Sequence, residues 1–182
     1  MRNQTKYLVE RAMAIALLVI SAQIAVPLPH MIPISLQTLA IYIIAMTFNK
    51  NQALIITLIY LFMGAIGLPV FASFSGGMDH LLGASGGFLL AFPIQAYITS
   101  LLVHKGDTKF MNLIGMIVGT GICYAVGCGY FMYLTKTSLA HSLIICVLPF
   151  LAGDALKMLC ALTIVRSLKK AFVIRDVLLN EQ

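Results

Sequence analysis

Residues 147–165 read VLPFLAGDALKMLCALTIV, an apolar run with Asp154 and Lys157 in its middle. On a helix, a spacing of three puts both side chains on one face, about 4.5 Å apart along the axis. Each charge costs about 2.5–3.5 kcal/mol at the centre of a membrane helix. Three arrangements offset that cost: a structural ion pair that locks the helix to its neighbours, a buried polar site for a ligand, or a proton-coupling site. An Asp carboxylate supplies acceptor oxygens, and a Lys ammonium supplies donors and a positive charge. The pair therefore suits a ligand with adjacent N–H and C=O groups, or an anionic one.

A second stretch with chemical potential is GASGG, residues 83–87, which matches G-x-S-x-G and contains G-x-S-G. The latter resembles the rhomboid intramembrane serine proteases, which also have six helices. That chemistry needs a histidine base within hydrogen-bond reach of Ser85. The candidates are His30, His80, His104 and His141. His104 is expected at the inner end of its helix, and no glycine follows His141 at the rhomboid spacing. The competing reading is a glycine-rich turn that lets the chain approach a ligand or helix closely. A third stretch, GTGICYAVGCGYFMY (119–133), mixes Gly119, Gly121, Gly127 and Gly129 with Tyr124, Tyr130 and Tyr133. It suits close helix packing, or one wall of a pocket for a small ring-bearing ligand.

Other chemistries lack their residues. Cys123, Cys128, Cys146 and Cys160 lie in apolar segments without paired spacing, and the histidines are scattered, so no metal is expected. No G-x-x-x-x-G-K-[ST] is present, so any ATP drive must come from a partner.

The elements that must position these residues are membrane helices. Of 182 residues, 60% are hydrophobic and only 10% charged, against about 25% charged in a soluble domain. Apolar runs at 8–26, 35–48, 52–69, 86–104, 110–134 and 138–165 predict an all-α integral membrane protein, one domain over 1–182 with six transmembrane helices. The first run lacks a small-residue cleavage site and is read as a span rather than a signal peptide. The second and third are short, and Pro149 is expected to kink the sixth.

In that arrangement Arg2, Lys6, Arg11, Lys50, Lys105, Lys109, Arg166, Lys169, Lys170 and Arg175 fall on one side, Lys136 on the other and Lys157 within the membrane. The distribution predicts that both termini are cytoplasmic, and it assigns the net charge of +6 to topology rather than to nucleic acid. The outer segment 27–35 is proline-rich. The outer segment 70–87, between the third and fourth helices, is rich in Gly and Ser yet apolar, and is read as a lid or lining. In the first helix, Ala12 and Ala16 at four-residue spacing suit either internal packing or docking of another membrane subunit.

The blocks ISLQTLA (34–40), GAIGLPVFA (64–72), SGG (75–77), LLGASGGFLLAFP (81–93) and LPFLAGDALK (148–157) resemble the BioY family. Its members are the biotin-specific substrate-binding (S) components of energy-coupling factor (ECF) transporters. The resemblance implies a six-helix subunit in the cytoplasmic membrane of a prokaryote that captures biotin from outside. It is not an enzyme and has no cofactor; a transmembrane coupling subunit and two ATPase subunits drive uptake, and a homodimer is left open. Biotin carries a ureido ring with two N–H donors and a carbonyl, a sulfur ring and a carboxylate tail. On this resemblance Asp154 accepts a ureido N–H, and Lys157 donates to the ureido carbonyl or the carboxylate. Tyr124 covers the sulfur ring. Gly76, Gly77, Gly86 and Gly87 let backbone donors of the lid reach the ligand beside Ser85, and Gln37 and Thr38 add polar contacts. Ala12 and Ala16 face the coupling subunit.

The chain departs from the family where G-P-T-G-G-Y is common: it has Ala84, Ser85 and Phe88, so a tyrosine hydroxyl is lost. Two glycines common after F-A are here Ser73 and Phe74, and Tyr130 replaces a frequent Trp. Three other readings remain at this point: a binding subunit for another vitamin, a rhomboid-like protease, and a structural membrane subunit.

Overall fold

A computed structural model describes residues 2–27, 32–106 and 108–180; of residues 2, 3 and 171–180 it gives the backbone course alone. His30 and the side chain of Arg175 lie outside that description. Eight α-helices follow in order: α1 (Arg2–Gln23), α2 (Gln37–Thr47), α3 (Lys50–Ala65), α4 (Met78–Leu82), α5 (Gly86–Val103), α6 (Lys109–Thr135), α7 (Leu139–Cys146) and α8 (Leu148–Asn180). Between α1 and α2 the chain forms two antiparallel two-residue strands, β1 (Ala25–Val26) and β2 (Ile34–Ser35). At Pro27 and Pro33 the chain is off the helical path, because proline removes an amide donor and clashes with the preceding turn.

Among the described residues, three helices are long and apolar enough to cross a membrane: α5, α6 and the Leu148–Lys170 part of α8. The apolar helices α2 and α3 are shorter, with 11 and 16 residues. At 1.5 Å per residue they extend roughly 16 Å and 24 Å, against a hydrocarbon core of about 30 Å. The sixth apolar run is two helices, not one kinked helix. The break falls at Val147 (φ −122°, ψ −52°), before Pro149. In a continuous helix Pro149 could not donate to the Ile145 carbonyl and its ring would clash there; placed as the second residue of α8, it needs no intrahelical donor.

Helices α5 and α6 form the most extensive contact. Glycines permit it. A side chain at Gly119 would collide with Thr99 Oγ1, and one at Gly127 with the Phe88 ring. Gly121 and Gly129 point to open space. The main apolar core joins α1, α2, α3 and α5 through residues such as Leu18, Ile41, Ile56, Tyr60, Phe71 and Phe92. A second cluster around Tyr42, Met116 and Met158 ties α2, α6 and α8 together, and a third around Cys128, Phe131 and Cys146 joins α6 to α7.

The segment between α3 and α5 folds back onto this core. Ala72–Phe74 make a 3-10 turn closed by a Phe71–Ser75 bridge, and α4 follows. Ser73 and Phe74 both adopt φ 58°, the left-handed region. Gln23 Oε1 accepts from the Phe74 amide at 2.7 Å, tying the turn to the end of α1. Gly77 (φ +95°) donates its amide to Gly64 O at 2.7 Å. The turn α2–α3 lies at the opposite end, where Ser100 Oγ donates to Phe48 O at 2.7 Å and Lys50 stands over the Tyr97 ring.

Candidate ligand-binding pocket

Helix α8 carries Asp154 and Lys157 on the face it turns toward α2 and α6. Both are buried, at 3% and 7% exposure. Lys157 Nζ donates to Asp154 Oδ1 at 2.9 Å and to Thr38 Oγ1 at 2.9 Å; the Thr38 hydroxyl in turn donates to Asp154 Oδ1 at 3.1 Å. From α6, Tyr124 donates to the other oxygen, Oδ2, at 2.5 Å. The carboxylate thus receives three donors from three helices. Lys157 uses two of its three N–H groups in these bonds, and Asp154 keeps one of roughly four acceptor sites.

This cluster forms part of the wall of an open pocket lined by residues of α2, α5, α6 and α8. Apolar walls come from Phe88 and Phe92, one turn apart on α5, and from Phe150 on α8. Gln95 and Thr120 contribute further polar groups, and Ser35, Gln37, His80 and Ser85 complete the wall toward the folded-back segment.

Of the residues singled out from sequence, Asp154, Lys157, Tyr124, Thr38, Gln37 and Ser85 line this one pocket. Both ends of the Gln37 amide are engaged: Ser35 Oγ donates to its Oε1 at 2.6 Å, and its Nε2 donates to Tyr60 OH at 2.6 Å. The Tyr60 hydroxyl donates onward to Val70 O at 2.9 Å. Gln37 therefore fixes the base of the folded-back segment.

Gly76, Gly77, Gly86 and Gly87 are not among the lining residues. A side chain at Gly76 would meet Leu68 O, at Gly86 Leu81 O, and at Gly87 the Tyr130 side chain. They let backbone lie against backbone and α5 against α6, while the Gly77 and Gly86 amides donate to Gly64 O and Gly83 O. Ala12 and Ala16 are exposed on α1, on the side away from buried Ala14 and Leu18.

The histidine nearest Ser85 is His80. Its Nε2 lies 3.4 Å from Ser85 Oγ and 3.2 Å from Ser75 Oγ. Its ring stacks on Phe71 at 5.8 Å between centroids. Burial holds this imidazole below its ordinary pKa. The contact is long and shared between two hydroxyls, so His80 acts as a clip between the 3-10 turn and the start of α5. His104 sits at the other end of α5, bonded to Ser100. Among the described residues no group of His, Cys, Asp and Glu could hold a metal.

Sequence reasoning missed Gln95 and Thr120. Gln95 is fully buried, with its Nε2 3.5 Å from Thr120 Oγ1, and that hydroxyl also meets Tyr42 OH at 2.6 Å. A glutamine in the middle of the apolar run 86–104 was the available signal.

The BioY family model matches residues 1–173. A biotin transporter BioY of Thermotoga maritima is 31% identical over 170 residues, covering 93% of this chain and 99% of its own. A probable biotin transporter BioY of Pyrococcus horikoshii is 33% identical over 160 residues, covering 87% and 93%. Among solved structures, the S-component for biotin from an ECF-type ABC transporter superposes with a TM-score of 0.85 at 27% identity, covering 93% of each chain.

Proposed function

The chain belongs to the BioY family, and from that membership we propose that it captures biotin in the pocket around Asp154 and Lys157. It is the substrate-binding subunit of an ECF-type transporter and not an enzyme. The observation that carries the pocket assignment is the closed Asp154–Lys157–Thr38–Tyr124 cluster. It holds one acceptor site and one N–H unused beside an aromatic-lined pocket. That remainder matches a ureido edge: Asp154 accepts one N–H, and Lys157 donates to the ring carbonyl or to the carboxylate tail. The faces of Tyr124, Phe88 and Phe150 cover the sulfur ring.

The finer architecture follows from the same reading. The chain crosses the cytoplasmic membrane of a prokaryote six times, with α7 and α8 together making the last passage. Helices α2 and α3 are short passages completed by the strand pair and the folded-back segment. The basic residues near both termini and in the α2–α3 and α5–α6 turns put those ends in the cytoplasm. The exposed Ala12 and Ala16 face docks the coupling subunit, and two ATPases supply the energy.

Calorimetric titration of biotin into detergent-purified protein, with Asp154→Asn beside it, tests the assignment. Stoichiometric binding in wild type that is lost in the variant supports it. Equal affinity in the two proteins removes Asp154 from the site. Preferential binding of thiamine or riboflavin in competition moves the chain to another vitamin.

A further inference from the structure

The hydrogen-bonding capacity of the charged cluster falls one group short of a ureido ring. Three of the roughly four acceptor positions on Asp154 are filled by Thr38, Lys157 and Tyr124, which leaves one. A ureido ring presents two N–H donors, so the second needs an acceptor from elsewhere in the wall.

Gln95 supplies a candidate. Its side chain is fully buried and lines the pocket, yet Oε1 has no hydrogen-bond partner. Buried acceptors are rarely left unpaired, because desolvating one without a partner is unfavourable. The amide is oriented from its other end, where Nε2 lies 3.5 Å from Thr120 Oγ1. Thr120 is itself held in place, donating to Met116 O at 2.7 Å and meeting Tyr42 OH at 2.6 Å. Thr120 stands one turn of α6 before Tyr124, about 6 Å along the axis, and both line the pocket. The glutamine therefore flanks the tyrosine that grips Asp154.

Building on the assignment of this pocket to biotin, we propose that Gln95 is a ligand-contacting, specificity-determining residue: its side-chain carbonyl accepts the ureido N–H that Asp154 leaves unpaired. The pocket then reads a cyclic urea from two helices, with Asp154 and Lys157 of α8 on one side and Gln95 of α5 on the other. The unpartnered acceptor in the free protein is the imprint of that ligand group.

The test pairs variants with ligands. Biotin and its two mono-N-methyl ureido analogues, each lacking one N–H, are titrated into wild type, Gln95→Leu and Gln95→Met. The two variants guard against one misfolding, and thermal melts without ligand identify the folded protein. The expected result is a loss of about tenfold in biotin affinity in the variants, the size of one buried hydrogen bond. For one of the two analogues, wild type and variants should agree within twofold. Biotin affinity within twofold of wild type in a folded variant overturns the proposal. So does an equal loss for biotin and both analogues, which marks a purely structural role. If wild type binds no biotin, the pocket assignment itself fails, a result separable from either of these.

Discussion

The Tyr124 hydroxyl of α6 donates to Asp154 Oδ2 of α8 at 2.5 Å, on the oxygen that Lys157 leaves alone. The two helices otherwise stand apart around this point. An apolar crevice lined by Ile117, Gly121, Leu151, Ala155 and Leu159 opens between them, and Tyr124 and Asp154 share its wall with the pocket. The hydrogen bond is thus a strut across a gap. Tyr124→Phe keeps the ring but leaves Oδ2 without its donor. A bond to a charged group contributes about 1.5–3 kcal/mol. The variant should melt lower in detergent and bind biotin at least about tenfold more weakly, measured by thermal shift and calorimetry.

Removing one member of the Asp154–Lys157 pair strands the other. Lys157→Met should lower stability by about 3–5 kcal/mol. The double variant Asp154→Leu/Lys157→Met removes both charges and should recover most of that stability, while biotin binding stays lost. Recovery of binding in the double variant would mean that the pair is structural only.

Gly119 and Gly121 lie two residues apart on α6 and face different surroundings. Gly119→Ala drives a methyl into Thr99 Oγ1, with Gln95 O also close at 3.1 Å. It should destabilise by about 1–3 kcal/mol and shift the Gln95 backbone. Gly121→Ala meets nothing within 4 Å and should melt at or slightly above the wild-type temperature. Thermal melts of the two proteins side by side check both expectations.

Ser73 and Phe74 hold left-handed backbone where most side chains carry a penalty. Phe74 is 71% exposed, so its ring contributes little packing in return. Phe74→Gly should raise stability by about 0.5–1 kcal/mol, net of the extra freedom glycine adds to the unfolded chain. A lower melting temperature would show that the Phe74 ring is held by a contact that matters.

His80 links the folded-back segment to pH. Its half-buried ring favours the neutral form, so its folded pKa is below its unfolded value. The unfolded chain therefore binds the proton first as pH falls. Stability from this ring is complete above about pH 6.5 and declines as pH drops below it toward the folded value. Hydrogen-exchange protection of residues 71–85, corrected for the intrinsic pH dependence of amide exchange, should be lower at pH 5.5 than at pH 7.5. His80→Gln, which does not titrate, should flatten that difference.

What could be read in the sequence was whatever broke an apolar pattern. Asp154 and Lys157 stood out because charge inside a membrane helix demands an explanation; Thr38 reads as a polar contact to the ligand and Tyr124 as a cover for its sulfur ring, and neither reads as a donor to Asp154. Gln95 breaks the pattern just as plainly, but an uncharged amide in an apolar run draws less notice. The glycines were harder. Gly86 and Gly87 read as freedom to approach either a ligand or a helix closely; their missing side chains make room for Leu81 O and Tyr130, and only three-dimensional neighbours separate those two uses. The division of the last apolar run at Val147 was half visible in Pro149, since proline announces a disruption without saying whether the helix bends or restarts.

The length of α8 has a mechanical consequence. Its 33 residues make a rod of about 50 Å, well beyond the hydrocarbon thickness of about 30 Å. Asp154 sits near one end and Asn180 closes the other, about 39 Å away. Asp154, the proposed ligand contact, therefore sits close to one end of a long lever. A tilt of about 5° around Asp154 displaces the far end by about 3 Å, calculated from the helical rise. On the proposed site, any tilt that ligand contact imposes at Asp154 is thereby magnified at the far end of α8.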